Sequence, residues 1–329
     1  MDETSLRRLA ADRPQLTPEL HLPNDFYGYG HLLKRWAGLR AWPPLPAVAE
    51  HGIPLQPDIW HVDLASVLPT LMAASPERAR AYEAAAPGRV GEAIGAPIAY
   101  ARARGEPVVP PRPADGPVLA FPAHSSHYAE ARFDPEPFLD ELERIRDRWG
   151  AVLICLYWRD VLNGAAAAYR ARGFDCVTAG HIYDRRFLLR LRRLLTASRA
   201  VVTNDFGTHV IYAALLGRPT WIVEQDIDYH DSRAEPLTFV APRAELARPL
   251  FAEERTDVSP EQAAFVAEVA GLGYERSPQQ LAAMIASARE RLHATTTRAQ
   301  RLVAGTRART HLIKEAARFS PALRGRASR

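Results

Sequence analysis

Between residues 113 and 258 the chain alternates short, continuous apolar runs with stretches in which apolar residues recur at helical spacing. "PVLAFPAHSS" predicts a buried strand running into a polar loop, and "PEPFLDELERIRDRWG" a helix closed by glycine. "AVLICLYWRD" predicts a second strand, "AAAAYRARG" a helix and "FDCVTAG" a third strand. "DRRFLLRLRRLLTASR" has the spacing of an amphipathic helix and "AVVTN" the run of a fourth strand. "GTHVIYAALLG" is then a helix closed by Gly217, and "RPTWIVEQ" a fifth strand. Strands alternating with helices predict a parallel sheet covered on both faces, a Rossmann-like doubly wound unit.

The flanks differ from this middle. Upstream, helix-like pieces mix with short apolar segments such as "LPAVAEHGIP", where an apolar run reaches His51-Gly52 and breaks at Pro54. "GEPVVPPRPADGP", residues 105–117, carries five prolines and predicts a stiff linker that acts as a hinge. From Ser259 onward the pattern is helical throughout. At 329 residues the chain exceeds the usual size of one domain. The expected division is an N-terminal half over 1–112 that includes the linker, a second half over 113–258, and C-terminal helices over 259–329. The fold class is α/β, two Rossmann-like halves with a helical C-terminal segment.

Composition adds little to this. An apolar fraction of 47% supports a real core and argues against disorder. Cys155 and Cys176 sit inside apolar runs, which predicts inert thiols and a reducing compartment. No run approaches the roughly 18 apolar residues of a membrane span. No apolar core follows "MDETSLRRLAADRPQL", so a cytoplasmic protein without a signal peptide is expected. The net charge is +4, yet of 42 basic residues only Lys34 and Lys314 are lysine, a compositional bias toward arginine rather than a polyanion site. The stretch "RERLHATTTRAQRLVAGTRARTHLIKEAARF" has the spacing of a helix with a solvated basic face, suited to peripheral contact with the inner membrane surface. It lacks the interleaved aromatics of a nucleic-acid surface, so no nucleic-acid partner is expected.

In doubly wound sheets ligands bind beyond the carboxyl ends of the strands, so the residues after each apolar run carry the candidate chemistry. These are His124-Ser125-Ser126-His127, Tyr157-Trp158-Arg159-Asp160, Gly180-His181, and Asn204 through His209. The Asn204–His209 turn opens a helix whose free backbone N–H groups suit a phosphate. Gly207 permits close approach, and Thr208 offers a hydroxyl. Ordinary capping by Asn204, Asp205 or Thr208 accounts for the same residues without a ligand. His124 can neutralise a leaving phosphate, with Ser125 and Ser126 as donors beside it. Arg159 offers a planar fork to a phosphate or an acidic sugar, or else pairs with Asp160. His181 faces a base or closes a turn, and His209 joins the donor set.

Upstream, His51 ends an apolar run and is a candidate general base with a near-neutral pKa, with Asp25 and Glu50 as competitors. Asp25 lies in "PNDFYGYG", a glycine-hinged loop or an N-cap. The histidines lack an HxxxH pair and the cysteines a paired motif, so no metal is expected. G-x-S-x-G, the P-loop and G-x-G-x-x-G are all missing from the sequence.

A strand, a polar glycine turn, a helix, "Ala-Leu-Leu-Gly-Arg-Pro" and a further strand together resemble the donor-binding half of GT-B glycosyltransferases. There a polar turn, an "EAL" helix and "G-x-P" hold the ribose and phosphates of a nucleotide-sugar. Upstream, "NDFYGYGHLLKRWAGL", "EHG" and "IGAPIAYAR" resemble the shorter N-terminal half of a GT-B-like group from bacterial capsule and lipopolysaccharide loci. Tyr212 departs from that pattern, standing where "EAL" places its glutamate. "HSSH" is similar to the His and Ser that sialyl- and Kdo-transferases place near the donor phosphate, although Ser125 replaces the proline of their His-Pro pair.

The resemblance implies a metal-independent transferase that moves a sugar from a nucleotide-sugar co-substrate, with no other cofactor, to a glycan or glycolipid acceptor facing His51. A sugar-nucleotide 2-epimerase of the same fold and a non-catalytic GT-B-like binding protein are the alternatives.

Overall fold

A computed structural model describes residues 1–15, 19–126, 129–231 and 242–319, with 311–319 described by backbone alone. Ten strands appear in chain order: β1 (Val48–Ala49), β2 (Thr70–Ala73), β3 (Val90–Ala93), β4 (Val118–Phe121) and β5 (Glu130–Arg132), then β6 (Val152–Cys155), β7 (Asp175–Val177), β8 (Ala200–Thr203), β9 (Thr220–Ile222) and β10 (Asp228–His230). β1, β2 and β3 form a parallel sheet in that order. A second parallel sheet has the order β7-β6-β4-β8-β9. β5 and β10 make a small antiparallel ribbon.

The second sheet starts at its centre. The chain lays down β4, winds outward through β6 and β7, then returns to β8 and β9 on the other side, so the winding reverses between β4 and β8. All four residues of β4 and of β8 are buried, as continuous apolar runs demand in a sheet covered on both faces. The period-2 alternation divides them between two cores. Val118, Ala120, Ile154, Cys176 and Val202 face a core with the helix Pro135–Trp149. Leu119, Phe121, Cys155, Val177 and Val201 face the helices Phe187–Ala197 and Thr208–Leu215. That second core runs on without a break into Tyr29, Leu32, Leu33 and Trp36 of the first half. The architecture is the predicted α/β one, with a parallel sheet in each half, helices about both and helices at the C-terminus.

The spatial units do not follow the linear division at 112 and 258. The helix Glu3–Ala10 packs Leu6 and Ala10 into the second half, and the terminal amine donates to the Cys176 carbonyl at 3.0 Å. The helix Pro278–Thr295 crosses the other way. Its Leu292 packs with Val48, Leu71 and Tyr82, and its Arg291 pairs with Glu92 at 2.7 Å. Ser259 and Ser277 each form a capping box with a glutamine three residues on, and a proline at the first helical position fixes both starts.

The linker is stitched down along part of its length. Buried Arg192 donates to the carbonyls of Pro107 and Val108, both at 3.0 Å. Fully buried Arg218 donates to Pro111 at 3.2 Å and to Leu195 at 3.0 Å. "AVLICLYWRD" does not run as a strand to its end. It leaves the sheet at Cys155, and Trp158–Leu162 turns into a short helix that buries Trp158 and Val161.

Leu292→Ala should lower the unfolding free energy by about 2–5 kcal/mol, the usual result of emptying a core leucine site. Because one core spans both halves, urea unfolding followed by tryptophan fluorescence and by far-ultraviolet circular dichroism should give one shared midpoint. Two separated transitions would contradict a common core.

Candidate functional site

A cavity of about 330 Å³ opens against the first half, lined by residues that follow β4 and β8, the strands between which the winding reverses. His124 follows β4, while Gly207, Thr208 and His209 follow β8. The opposite wall is Tyr27, Tyr29 and the turn from His51 to Pro54. A second cavity, about 490 Å³, lies beyond Tyr27, His51 and Tyr157, which line both. Glu50, Trp60, Asp63 and Arg78 wall it from the first half, and Tyr183 from the second.

The Asn204–His209 turn is braced by its own residues and by the neighbouring loops. Asn204 is fully buried; its Oδ1 accepts the Ala123 N–H at 2.6 Å and its Nδ2 donates to Gln225 at 2.6 Å. Asp205 accepts the Phe206 N–H at 2.7 Å and the Tyr229 hydroxyl at 2.6 Å. The Thr203 hydroxyl donates its proton to the Asp205 carbonyl at 3.0 Å, so it must accept from His209 Nε2 at 3.0 Å. This assigns the Nε2–H tautomer to His209. The ring stacks on Phe121 with centroids 4.9 Å apart, and burial, aided by His124, pulls its pKa down to about 4.

No side chain caps the helix Thr208–Leu215. Thr208 Oγ1 instead accepts the Ile53 N–H at 3.3 Å, so a loop of the first half seats on the helix terminus. Gly52 makes that approach with φ +70°, and a Cβ there would stand 3.1 Å from Thr208 Oγ1.

His51 stands between the two cavities among aromatic rings. Phe26 meets it edge-on at 5.2 Å and Tyr27 stacks on it at 5.2 Å. Its Nδ1 is buried and has no hydrogen-bond partner among the described residues. Burial lowers its pKa to about 4, against the pull of Asp63. The near-neutral value expected of it is therefore corrected: the half-buried ring, packed against Phe26 and Tyr27, has its cation poorly solvated and its pKa lowered to about 4.

The first cavity thus gathers His51, His124, Gly207, Thr208 and His209, and the second takes Ser126. Asp25, Ser125, Arg159, His181 and Asn204 line neither of them. Asp25 is buried in the short helical turn Leu22–Gly28. Ser125 gives its N–H to Asp160 at 3.2 Å and accepts the Ala131 N–H at 3.2 Å, bracing the ribbon. Arg159 sits in the short helix after β6. His181 is fully buried, 3.1 Å from Asp12 and against Trp158, where it ties the N-terminal segment down. His127 lies outside the described residues. His124 is exposed on the rim, its ring 4.5 Å from Tyr157. Burial raises the pKa of Asp160, and His124 counters that rise.

Sequence reasoning placed Tyr157 at a strand end without giving it a role, and missed the rest of the aromatic wall, Tyr27, Tyr29 and Trp60. It also missed Arg78, whose Nε donates to Glu50 at 2.8 Å. The signal available was the density of aromatics in "NDFYGYG", and Tyr212 as a departure from "EAL". The Tyr212 hydroxyl meets that of Tyr29 at 3.1 Å, so this position joins the halves.

No family model and no curated protein matches the chain. Similar solved structures include the ADP-heptose LPS heptosyltransferase II of E. coli, at 16% identity and TM-score 0.27 over 46% of this chain and 61% of that one. The UDP complex of MnaA from S. aureus aligns at 10% identity and TM-score 0.36, over 73% and 65%. The glycosyltransferase SnogD from Streptomyces nogalater aligns at 12% identity and TM-score 0.26, over 90% and 82%. The match spans less than two thirds of the length of the first two. Likeness at this level carries no inference to the activity of this chain.

Two outcomes follow from this geometry. Thr208→Val removes the acceptor of the Ile53 N–H and should cost about 1–3 kcal/mol without any ligand, measured by urea unfolding; no loss would mean that the contact is idle. His51 and His209 take protons more readily in the unfolded chain, near the ordinary value of 6.5, than in the folded one, near 4. The unfolded state then binds more protons in that window. Their contribution is present above about pH 6.5 and is lost as pH falls toward 4. His209→Asn should show a shallower fall of the urea midpoint over this range than the parent, and an unchanged slope would refute the depressed value.

Proposed function

We propose that the chain is a metal-independent, nucleotide-sugar-dependent glycosyltransferase, holding its donor in the first cavity and its acceptor against the first half. The observation that carries this reading is the position of that cavity. It lies where the winding of the sheet reverses, at the terminus of an uncapped helix, facing a second half-domain. Open α/β sheets bind ligands at such a point, and a helix N-terminus favours a phosphate. The donor phosphates sit at Gly207 and Thr208, and His124 on the rim meets the charge that develops on the leaving group.

His51, between the cavities, accepts the hydroxyl proton of the acceptor. It is free base across the neutral range, though a weak one, so positioning rather than basicity supplies most of its effect. The acceptor is a growing surface polysaccharide or glycolipid. Exposed Leu302 and Val303, in the helix Arg298–Phe319 with Arg298, Arg307 and Arg309, make peripheral contact with the inner membrane surface. Among the described residues no helix is long and apolar enough to cross a membrane.

A non-catalytic binding protein is the second reading, favoured by one observation: Ile53 already occupies Thr208. Turnover separates the two.

A thermal-shift screen against UDP-, GDP-, CDP-, CMP- and dTDP-sugars should find one that stabilises the protein by about 2.7 kcal/mol at a hundredfold excess over its dissociation constant. No shift from any of them would overturn the nucleotide assignment. With that donor, His51→Asn should lower turnover about 10²–10⁴-fold at unchanged donor affinity. The parent rate should hold flat through neutrality and fall only toward pH 4, where His51 protonates. Full turnover in His51→Asn would place the base elsewhere.

A further inference from the structure

The second cavity has a chemistry of its own. Glu50 is 4% exposed and lines it. One carboxylate oxygen, Oε1, accepts from Arg78 Nε at 2.8 Å; the other, Oε2, is buried and has no hydrogen-bond partner among the described residues. Arg78 is in no position to serve it as well. Its terminal nitrogens are committed to the carbonyls of Gln56 and Pro57, both at 2.9 Å, and of Asp58 at 3.1 Å. A second carboxylate, Asp63, shares the wall and stands 2.9 Å from His21.

Burial raises the Glu50 pKa, and the Arg78 charge and the Ala74 N–H offset only part of that rise, so a ligand that brings a donor and further positive charge to Oε2 relieves the remaining cost. The rest of the wall favours the same ligand. Phe26, Tyr27, Trp60 and Tyr183 present aromatic rings around the opening, and such faces attract a cation electrostatically. Of the two basic side chains on this wall, Arg78 is already paired with Glu50 Oε1, and His51 has its pKa lowered to about 4.

We propose that this second cavity binds a primary ammonium carried on a sugar, with Glu50 Oε2 as its hydrogen-bond acceptor and the aromatic rings as its cage. This rests on the transferase reading and narrows its acceptor to an amino sugar with a free amine. An ammonium offers three donors, enough for Glu50 Oε2 and for further acceptors in the cavity. A neutral hydroxyl would satisfy the oxygen but leave its charge and the cage unused.

The test is calorimetric titration of the full chain with glucosamine, N-acetylglucosamine and glucose at about pH 6, where a sugar amine is protonated. Glucosamine should bind about tenfold tighter or more than either control. Glu50→Gln keeps an acceptor for Arg78 and should erase the preference. Trp60→Leu, which leaves the Glu50–Arg78 pair intact, should weaken glucosamine binding and so covers the case in which Glu50→Gln fails to fold. Equal binding of the three sugars, tighter binding of a control, or no binding of glucosamine would each overturn the ammonium assignment. The nucleotide shift in the first cavity is read separately. If it persists while glucosamine fails, this inference falls and the transferase reading stands; if it is absent while glucosamine binds, the reverse holds.

Discussion

Tyr29 and Tyr27 reach out of the first half and meet Tyr212 and Tyr157 of the second hydroxyl to hydroxyl, each pair at 3.1 Å. The cleft takes its shape from these two contacts. Each bond is worth on the order of 1 kcal/mol, but the rings that carry them bury far more, and they fill the seam with aromatic surface. The chain is bent to make them possible. Tyr27 adopts φ 55°, a conformation rare for a residue with a side chain, and Gly28 follows at φ +75°. A Cβ at Gly28 would stand 2.7 Å from the Arg185 backbone, so glycine alone lets the two halves come this close.

The aromatic seam also sets the electrostatics. Where rings displace water, a charged imidazole loses its solvation, and His51 and His209 are both held neutral. The same burial pushes the Cys155 thiol, on the cavity wall, up to about 12, which keeps it inert. Tyr27, His51 and Tyr157 belong to both cavities and divide the cleft in two. On one side lie a helix terminus and histidines; on the other, carboxylates in an aromatic box. Opposite chemistries on the two sides of one narrow wall suit a reaction in which two unlike substrates meet.

The second half was legible in the sequence because its signals are local. Runs such as "AVVT" and "PVLAF" can only be strands buried on both faces, and glycines or prolines punctuate the helices between them. The first half was less legible. β3, "VGEA", is half-buried and mixes glycine with glutamate, so no period marks it. The ribbon of β5 and β10 was missed because "EAR" and "DYH" are polar and gain their pairing only from each other. The exchange of terminal helices between halves depends on contacts more than a hundred residues apart, which no pattern announces.

The site was half legible for the same reason. Strand-end position brings Gly207, Thr208, His209 and His124 to one cavity. It does not separate residues that face the cleft from those that brace it, so Asn204, Ser125 and His181 looked alike with them. Each of these three is spent on a partner remote in sequence or on a neighbouring loop. Position in the chain reports which loop a side chain occupies; the partners it finds across the fold decide whether it is free for a ligand.

We propose that the terminus of the helix Thr208–Leu215, where the first half seats its Ile53 N–H, is the ligand site of the cleft. Amide hydrogen exchange with and without saturating nucleotide-sugar tests it most directly. Protection should rise at 205–212 and change in the same experiment at 51–54, because a phosphate at the terminus must share or displace that contact. Protection confined to other segments, with both of these unchanged, would contradict the account.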